Sequence, residues 1–385
     1  MRVTIPSCFL DVFHVKILLG PNSHRDHFAI AFNYEDAVER IADLSNSSIS
    51  DDEMRLKYSL NDNRDWSLTR ARKNKFDTVT PVQCIYRPFD FRFMLYGPFA
   101  FDYHRPEIND NLLKENFALI STKQTKELFS VLVTNKPAGQ HKLATPYDGS
   151  YLSPLYIYPD GLETNTRQSG ISNISRSPSK DGRTPNLNPD FVSDLESRLG
   201  MKFVSDGHGD LAATFGPEDI FDYIYAVFNS PTYRKRYAEF LKMDFPRLPL
   251  TSNVDLFRRL CALGKTIVDL HLLESPMQEA SNFHTHYPIT GDNIVEKGYP
   301  KYVPDESKSG RIYINKTQYL EGVPQDVWEF HVGGYQVSKK WLEDRRGRKL
   351  SIDDITHYRK VIVALRETIR LMEEIDKAIP EWPIK

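Results

Sequence analysis

Cysteine is scarce in this sequence, and its scarcity argues against two kinds of site. Three cysteines, Cys8, Cys84 and Cys261, occur far apart among 385 residues. An odd number at such wide spacing argues against a disulfide framework and against a zinc site built from cysteines. We therefore expect buried, reduced thiols.

Long hydrophobic runs are missing as well. No stretch approaches the roughly 18 apolar residues that a membrane-spanning helix needs, and the opening residues lack the apolar core of a secretory signal. We expect a cytoplasmic protein with no membrane partner. Hydrophobic residues make up 40% of the chain and charged residues 26%, as in ordinary globular proteins. The length is sufficient for about two or three packed units.

A strong positive charge is also lacking. The formal net charge is −2, so nucleic-acid binding would have to use one locally positive face. Basic residues cluster around Arg64 with residues 70–75, at residues 234–236 and at residues 339–349. Each cluster alone could be a solvated surface, but together they keep a nucleic-acid partner open.

Signatures of catalysis are absent. A methyltransferase that acts on a base amino group needs a polar-Pro-Pro-aromatic loop for the extruded base, and the chain has no Pro-Pro pair. Residues 264–266 end like a phosphate-binding loop, but Arg259 occupies the position of its first glycine. Acidic residues that could serve a metal-dependent nuclease fall on predicted helices or turns. We expect no complete catalytic site and no cofactor in this chain.

The residue composition of the first half of the chain changes along its length. Residues 1–80 mix short extended and helix-like stretches. Residues 81–160 contain short runs of Tyr, Phe, Val and Ile broken by Pro and Gly, which predict a strand-rich subdomain. Residues 161–190 are poor in large apolar side chains and rich in Ser, Asn and Pro, which predicts a flexible loop.

The second half is predicted to be helical over 191–275 and strand-rich again over 276–385. The last helix is capped by Ser351, with Asp354 in the position of a capping box. Its apolar residues are spaced three and four apart, which favours core packing over a partner face. The whole pattern predicts an α+β fold in which strand-rich subdomains pack with helical segments and a long C-terminal helix.

Several long motifs occur in one order along the chain. They include Tyr86–Arg92, Ser153–Pro159, Asp219–Ala226, Ser230–Lys242 and Gly333–Trp341. These motifs resemble the C-terminal specificity region of type ISP restriction-modification enzymes. Such enzymes join nuclease, translocase, adenine methyltransferase and target-recognition parts in one chain.

One segment departs from the resemblance. Family members tend to have a Gly, a Thr and then Arg-Asp near the start of this region. The segment from Gly20 to Asp26 keeps only the Arg-Asp pair, Arg25 and Asp26. The role of this turn therefore stays open.

The resemblance implies a sequence-specific DNA-recognition module of a restriction-modification system, with double-stranded DNA as its partner and no catalysis alone. Residues 1–80 would follow the methyltransferase part, and residues 81–160 would form a target-recognition subdomain. S-adenosylmethionine, ATP and Mg would belong to catalytic parts outside this chain. Two alternatives stay open: the tail of an enzyme whose methyltransferase, translocase and nuclease activities lie upstream or on a separate chain, and an inactive gene remnant.

The residues expected to touch DNA are those that can neutralise phosphates or read base edges. They lie in predicted loops or at strand ends, where recognition residues are usually found. Each could instead be a solvated side chain. The candidates are Arg72, Lys123, Lys136, Gln140, His141, Lys142, Lys339, Lys340, Arg345 and Arg346.

The motif formed by Tyr86, Arg87, Asp90 and Arg92 allows two interpretations. It could be a buried ion-pair lattice that fixes how the strands meet, or it could direct an arginine at the DNA backbone. The Pro-Phe pair within it is typical of a packed corner. We favour the structural role.

Overall fold

The computed structural model describes residues 7–14, 18–159, 182–306 and 309–384. Most of the predicted loop at 161–190 lies outside these residues. Cys84 and Cys261 are free and buried, as expected. None of the described helices is long and apolar enough to cross a membrane.

The first hydrophobic core gathers side chains from residues 28–101 around Phe28, Trp66 and Met94. Asn33 and Ser50 cap its two main helices through side-chain hydrogen bonds. The elements up to the end of this core are β1 (Ser7–Cys8), α1 (Phe9–Val12), β2 (Leu18–Leu19), α2 (Asp26–Ala29), β3 (Ile30–Ala31), α3 (Tyr34–Ser45), α4 (Asp51–Tyr58), α5 (Leu68–Ala71), β4 (Val82–Arg87) and β5 (Asp90–Met94). The sheet of this core has the antiparallel order β3-β5-β4.

A second, four-stranded antiparallel sheet follows. Every residue of one of its two inner strands, Ala118–Thr122, is buried. Both faces of this strand are therefore covered, including those of its polar residues Ser121 and Thr122. The elements are α6 (Pro106–Asn109), a 3-10 turn (Asp110–Leu113), β6 (Ala118–Thr122), β7 (Leu132–Thr134), β8 (Ser150–Pro154), β9 (Tyr156–Ile157) and β10 (Thr184–Pro185). The sheet order is β2-β8-β6-β7, and β9 pairs with β10.

The helical part packs against this sheet. Its elements are α7 (Pro189–Leu199), β11 (Lys202–Phe203), β12 (Thr214–Phe215), α8 (Pro217–Asn229), α9 (Pro231–Arg236), α10 (Ala238–Leu241), β13 (Arg247–Leu248) and α11 (Val254–His271). Nearly every residue of α8 is buried. A Cβ at Gly264 on α11 would lie 1.9 Å from the Asp222 carbonyl oxygen. Gly264, which begins the segment 264–266 that resembles the end of a phosphate-binding loop, thus allows the backbones of α8 and α11 to touch.

The four-stranded sheet, α8 and α11 share a second, larger hydrophobic core, the main core, which includes Leu119, Phe221 and Leu260. The C-terminal part adds a small sheet and the long helix that closes this main core. Its elements are 3-10 turns (Pro276–Gln278, Ala280–Asn282), β14 (Lys301–Pro304), β15 (Gly310–Tyr313), β16 (Tyr319–Glu321), α12 (Gln325–Glu329), β17 (His331–Val332), β18 (Tyr335–Gln336), α13 (Val337–Glu343) and α14 (Ile352–Ala378). Ser351 and Asp354 form the predicted capping box. Tyr358, Ile362 and Leu365 are buried in the main core. The predicted α+β class with a long C-terminal helix is confirmed.

Candidate nucleic-acid interface

The β4–β5 hairpin turns tightly at Phe89, which has a left-handed backbone with a φ of 61°. The Phe89 ring is 3% exposed and meets the His271 ring edge-on, with 5.3 Å between centroids. Its carbonyl oxygen accepts a hydrogen bond of 2.7 Å from His357 Nε2. The turn is thereby fixed to α11 and α14.

Asp90, beside this turn, is 1% exposed and holds two arginines. Arg92 Nη2 lies 2.7 Å from Asp90 Oδ2, and Arg345 Nη2 lies 2.9 Å from Asp90 Oδ1. A carboxylate so deeply buried needs such partners, because an unpaired buried charge is strongly destabilising.

Asp344 forms the second centre of the same cluster. It accepts from Arg87 Nε at 2.6 Å and from Lys340 Nζ at 2.7 Å, and Arg92 Nη2 lies at 3.3 Å. Burial alone would raise the pKa of Asp344, but the hydrogen bond from Lys340 and the charge of Arg87 hold that pKa below its ordinary value. Arg87 also donates to the Tyr335 hydroxyl at 2.7 Å.

Aromatic rings cover the faces of these guanidinium groups. Arg92 lies 3.9 Å from the ring centroids of both Phe32 and Tyr86, and Arg345 lies 3.4 Å from that of Trp341. The structure thus places Tyr86, Arg87, Asp90 and Arg92 in one largely buried ion-pair cluster. Two of the DNA-contact candidates, Lys340 and Arg345, are held in the same cluster.

A loop from Gly139 to Gly149 brings other candidates together. At its base, the Gln140 amide donates to the Pro21 carbonyl at 2.8 Å, and the Ser150 amide donates to the Gln140 carbonyl at 2.7 Å. A Cβ at Gly20 would lie 2.5 Å from the Gly139 carbonyl oxygen. The 139–149 loop therefore sits directly on the 20–26 turn, at a contact that excludes any side chain.

The β17–β18 hairpin supports the other side of this loop. Gly333 has a φ of 55°, and a Cβ there would lie 1.7 Å from the Ala144 carbonyl oxygen. A Cβ at Gly334 would lie 2.7 Å from Pro146 Cδ. The loop is thus held from two sides by backbone contacts that require glycine.

Lys142 joins the loop to the 20–26 turn. Its Nζ lies 2.6 Å from Asp26 Oδ2 and 3.0 Å from the Tyr86 hydroxyl. Burial would lower the pKa of Lys142, but the hydrogen bond with Asp26 raises it above its ordinary value. Burial lowers the pKa of the neighbouring His141. Lys142 therefore keeps its charge, whereas His141 favours the neutral form that both donates and accepts hydrogen bonds.

The 20–26 turn has a role that the sequence left open. Arg25 is 3% exposed, lies 2.8 Å from Asp102 Oδ1 and stacks 3.9 Å from the Trp66 centroid. The neighbouring His24 also contacts Asp102. Arg25 and Asp26 thus tie the first core to the 139–149 loop, through Asp102 and Lys142 respectively.

Several polar or aromatic side chains next to these contacts point to solvent. His24 is 58% exposed and Arg64 is 86% exposed at the side chain, and Tyr103 and Tyr147 are exposed. We name the exposed and half-buried polar or aromatic side chains of the 20–26 turn and of the 139–149 loop, together with their neighbours Arg64 and Tyr103, the loop face. It includes the half-buried Gln140 and His141. None of the four exposed side chains was among the ten contact candidates, although Arg64 belongs to a basic cluster of the sequence, because exposure depends on tertiary packing. For Tyr147, the flanking glycines at 139 and 149 were the available signal.

The remaining candidates are distributed elsewhere. Arg72 is paired with Asp51 at 2.8 Å, and Arg346 lies 2.9 Å from Glu343. Lys123 is exposed just after β6, while Lys136 and Lys339 are half-buried. Of the ten candidates, only Gln140, His141 and Lys142 come together in one loop.

A separate cluster surrounds His208, which lies between two glycines in the segment that joins β11 and β12. His208 Nε2 lies 3.0 Å from Asp222 and its Nδ1 lies 3.0 Å from Glu218, beside a cleft of about 360 Å³. Hydrogen bonds with Asp222 and Glu218 raise the pKa of His208 to about 10. Across the described ranges, no three His, Cys, Asp or Glu residues are grouped so that they could hold a metal ion.

The family model for the "Type ISP C-terminal specificity domain" matches residues 11–374. No curated protein sequence matches the chain.

The solved structures with a similar fold include three that contain DNA or a DNA substrate mimic. A nuclease-deletion mutant of the type ISP restriction-modification enzyme LlaGI, in complex with a DNA substrate mimic, is 21% identical with a TM-score of 0.63, over 97% of this chain and 28% of that chain. The ATP-dependent type ISP enzyme LlaBIII, bound to DNA, is 18% identical with a TM-score of 0.62, over 100% of this chain and 24% of that one. A DrdV–DNA complex is 18% identical with a TM-score of 0.64, over 97% of this chain and 36% of that chain. The chain therefore spans about a quarter to a third of these longer proteins.

Proposed function

The chain belongs to the family of type ISP C-terminal specificity domains, as its sequence motifs suggested, and from this premise we propose that it is the sequence-specific DNA-recognition module of a restriction-modification enzyme. The observation that carries the proposal is the 139–149 loop. Its polar residues Gln140 and His141 are fixed between two glycine contacts, next to the charged Lys142.

The chemistry of the loop face suits a duplex. Glutamine can pair with adenine through two hydrogen bonds, and neutral histidine offers one donor and one acceptor. Arg64 at the edge of the face is paired with Asp65 at 3.0 Å, but its side chain is 86% exposed, so it can turn to a phosphate. DNA is the partner named for LlaGI, LlaBIII and DrdV, and we extend that partner to this chain.

We further propose that catalysis belongs to parts outside this chain. Adenine methylation, ATP-driven translocation and cleavage would use S-adenosylmethionine, ATP and Mg held by an upstream or separate partner chain. In this arrangement the module works in the cytoplasm. It sets the position of the duplex, so that the catalytic parts act at one site.

The test is selection of DNA from a pool of random duplexes by the purified chain, at low and at physiological salt, followed by sequencing. We expect one enriched site whose affinity falls with salt, because phosphate contacts release counterions. The variant Gln140→Ala should lose preference at one or two base pairs, since each lost base contact costs about 1–3 kcal/mol. Arg64→Ala should weaken binding to all sequences alike.

A matched control is Arg259→Ala, which removes an exposed arginine from α11. This variant should leave both affinity and the selected site unchanged. If the wild-type chain retains no DNA at low salt, it is not a self-sufficient recognition module.

A further inference from the structure

The tip of the 139–149 loop presents an aromatic ring to solvent. Tyr147 is 82% exposed. Throughout the described residues its ring stacks on no other ring and its hydroxyl has no hydrogen-bond partner. By contrast, Ala144 and Thr145 just before it are each 1% exposed. The loop thus buries Ala144 and Thr145 and leaves the Tyr147 ring without a packing role.

The backbone on both sides of Tyr147 is fixed. Thr145 Oγ1 accepts the Asp148 amide at 2.8 Å, which closes a tight turn around the tyrosine. Pro146 lies against Gly334 of the β17–β18 hairpin, at a distance that leaves no room for a side chain. A contact residue on a fixed backbone loses little conformational entropy on binding, and a tyrosine ring has only two side-chain torsions to restrict.

The charge next to the ring indicates what it can touch. Asp148 follows Tyr147 directly, and a carboxylate beside the ring disfavours close approach to phosphates. An aromatic ring can instead pack against the methyl group that thymine presents in the major groove. The phenol is amphipathic, so it can leave water for a groove while its hydroxyl stays hydrated.

We propose that Tyr147 enters the major groove and packs its ring on a thymine methyl group, which makes it a specificity-determining residue. This inference rests on the proposed DNA-recognition function and adds the contact that reads one base pair. The hydroxyl group takes no part in the discrimination.

The experiment uses the full chain and the duplex that the wild-type protein selects. Each thymine of that duplex is replaced in turn by uracil, which removes only the methyl group. For wild type, we expect the affinity to fall about fourfold at one thymine, the equivalent of one buried methyl group. Tyr147→Ala should bind the selected duplex about tenfold more weakly and should be insensitive to uracil at that position.

Two further variants sharpen the test. Tyr147→Phe should behave like wild type, because the ring is retained. Tyr34→Ala removes another exposed tyrosine, located on α3, and should leave both the affinity and the uracil effect unchanged. Thermal unfolding of each variant checks that the fold is retained.

The outcomes separate the two proposals. If wild type selects a site but Tyr147→Ala binds it equally well, or shows the same uracil effect, the inference about Tyr147 is wrong and DNA recognition stands. If Tyr147→Phe loses as much affinity as Tyr147→Ala, the hydroxyl makes the contact and packing on a methyl group is refuted. If wild type retains no DNA at all, the recognition function fails, and the inference fails with it.

Discussion

At the scale of single residues, buried charged side chains are stabilised by ion pairs with several neighbours. His208 lies between the carboxylates of Asp222 and Glu218, at 3.0 Å from each. Because Asp222 is almost fully buried, its ionised form depends on a charged neighbour. His208 therefore does more than complete a glycine-rich turn: it links the turn to α8 through an ion pair.

This ion pair predicts how stability depends on pH. The folded-state pKa of His208, raised to about 10 by Asp222 and Glu218, lies above the value of about 6.5 for an unfolded chain. The contribution of the His208 proton is therefore fully present below pH 6.5 and is lost as pH rises through 10. Burial raises the pKa of Asp222 to about 7, so the pair is fully ionised only above that pH. Between pH 7 and 10, the wild-type free energy of unfolding should fall by about 1 kcal/mol, given partial solvent screening. Urea titrations across this range would measure it.

The variant His208→Gln should remove that slope and be less stable at pH 7. His331→Gln, at an exposed histidine, is the control and should leave the slope in place. If His208→Gln retains the full pH dependence, another group causes it.

A second residue-scale prediction concerns Phe89. Its ring fills the junction between the hairpin turn and His271, although its left-handed backbone is strained for a residue with a side chain. Phe89→Ala keeps that strain and removes the packing, so it should cost about 3–5 kcal/mol. Denaturant unfolding would show it. Leu56→Ala, at an 85% exposed position, should change stability by no more than about 0.5 kcal/mol.

At the scale of elements, the 139–149 loop depends on glycines that belong to other segments. Gly20 and Gly333 lie far from the loop in sequence, yet each touches its backbone. A loop supported in this way can present side chains in a fixed geometry, which a free loop cannot do without an entropic cost. Loop position and DNA affinity should therefore change together when either glycine is replaced.

Gly333→Ala tests this dependence. Its Cβ would lie 1.7 Å from the Ala144 carbonyl oxygen, so the loop must move. Gly347→Ala is a matched control, because Gly347 also has a positive φ, of 77°, but has no atom within 4 Å of its Cβ position. Both variants should lose about 1 kcal/mol of stability from backbone strain. Only Gly333→Ala should lose at least about tenfold in affinity for the selected duplex. Equal binding by the two variants would show that the support is not needed.

The same elements show how far the sequence could predict the structure. Local signals predicted local features well: the capping box at Ser351 and the apolar face of α14 are both present. The 20–26 turn could not be interpreted, because its partners Asp102 and Lys142 are distant in sequence. Likewise, basicity alone could not distinguish Arg345, which is buried against Asp90, from Arg64, which pairs with its neighbour Asp65 but stays exposed. Pairing and exposure arise only when the segments meet.

At the scale of the whole molecule, two hydrophobic cores share one hairpin. Cys84 and Met94 of the hairpin belong to the first core, whereas Ile85 and Phe89 belong to the main one. The ion-pair cluster around Asp90 and Asp344 lies at this junction and joins the hairpin to α13 and to the segment that follows it. The cluster therefore couples the core next to the 20–26 turn with the core that supports the rest of the loop face.

Asp90→Asn should uncouple the two cores. The substitution keeps the shape but removes the charge that faces Arg92 and Arg345, and breaking a buried pair in this way costs about 3–5 kcal/mol. Because the pair lies between the two cores, its loss should weaken the contact between them. Unfolding should then change from one cooperative transition to two, which calorimetry and Trp fluorescence would detect as separate transitions. Glu239→Gln, in the exposed pair with Lys242, should leave a single transition. If Asp90→Asn lowers stability but still unfolds in one step, the cluster stabilises the fold without being the link between the cores.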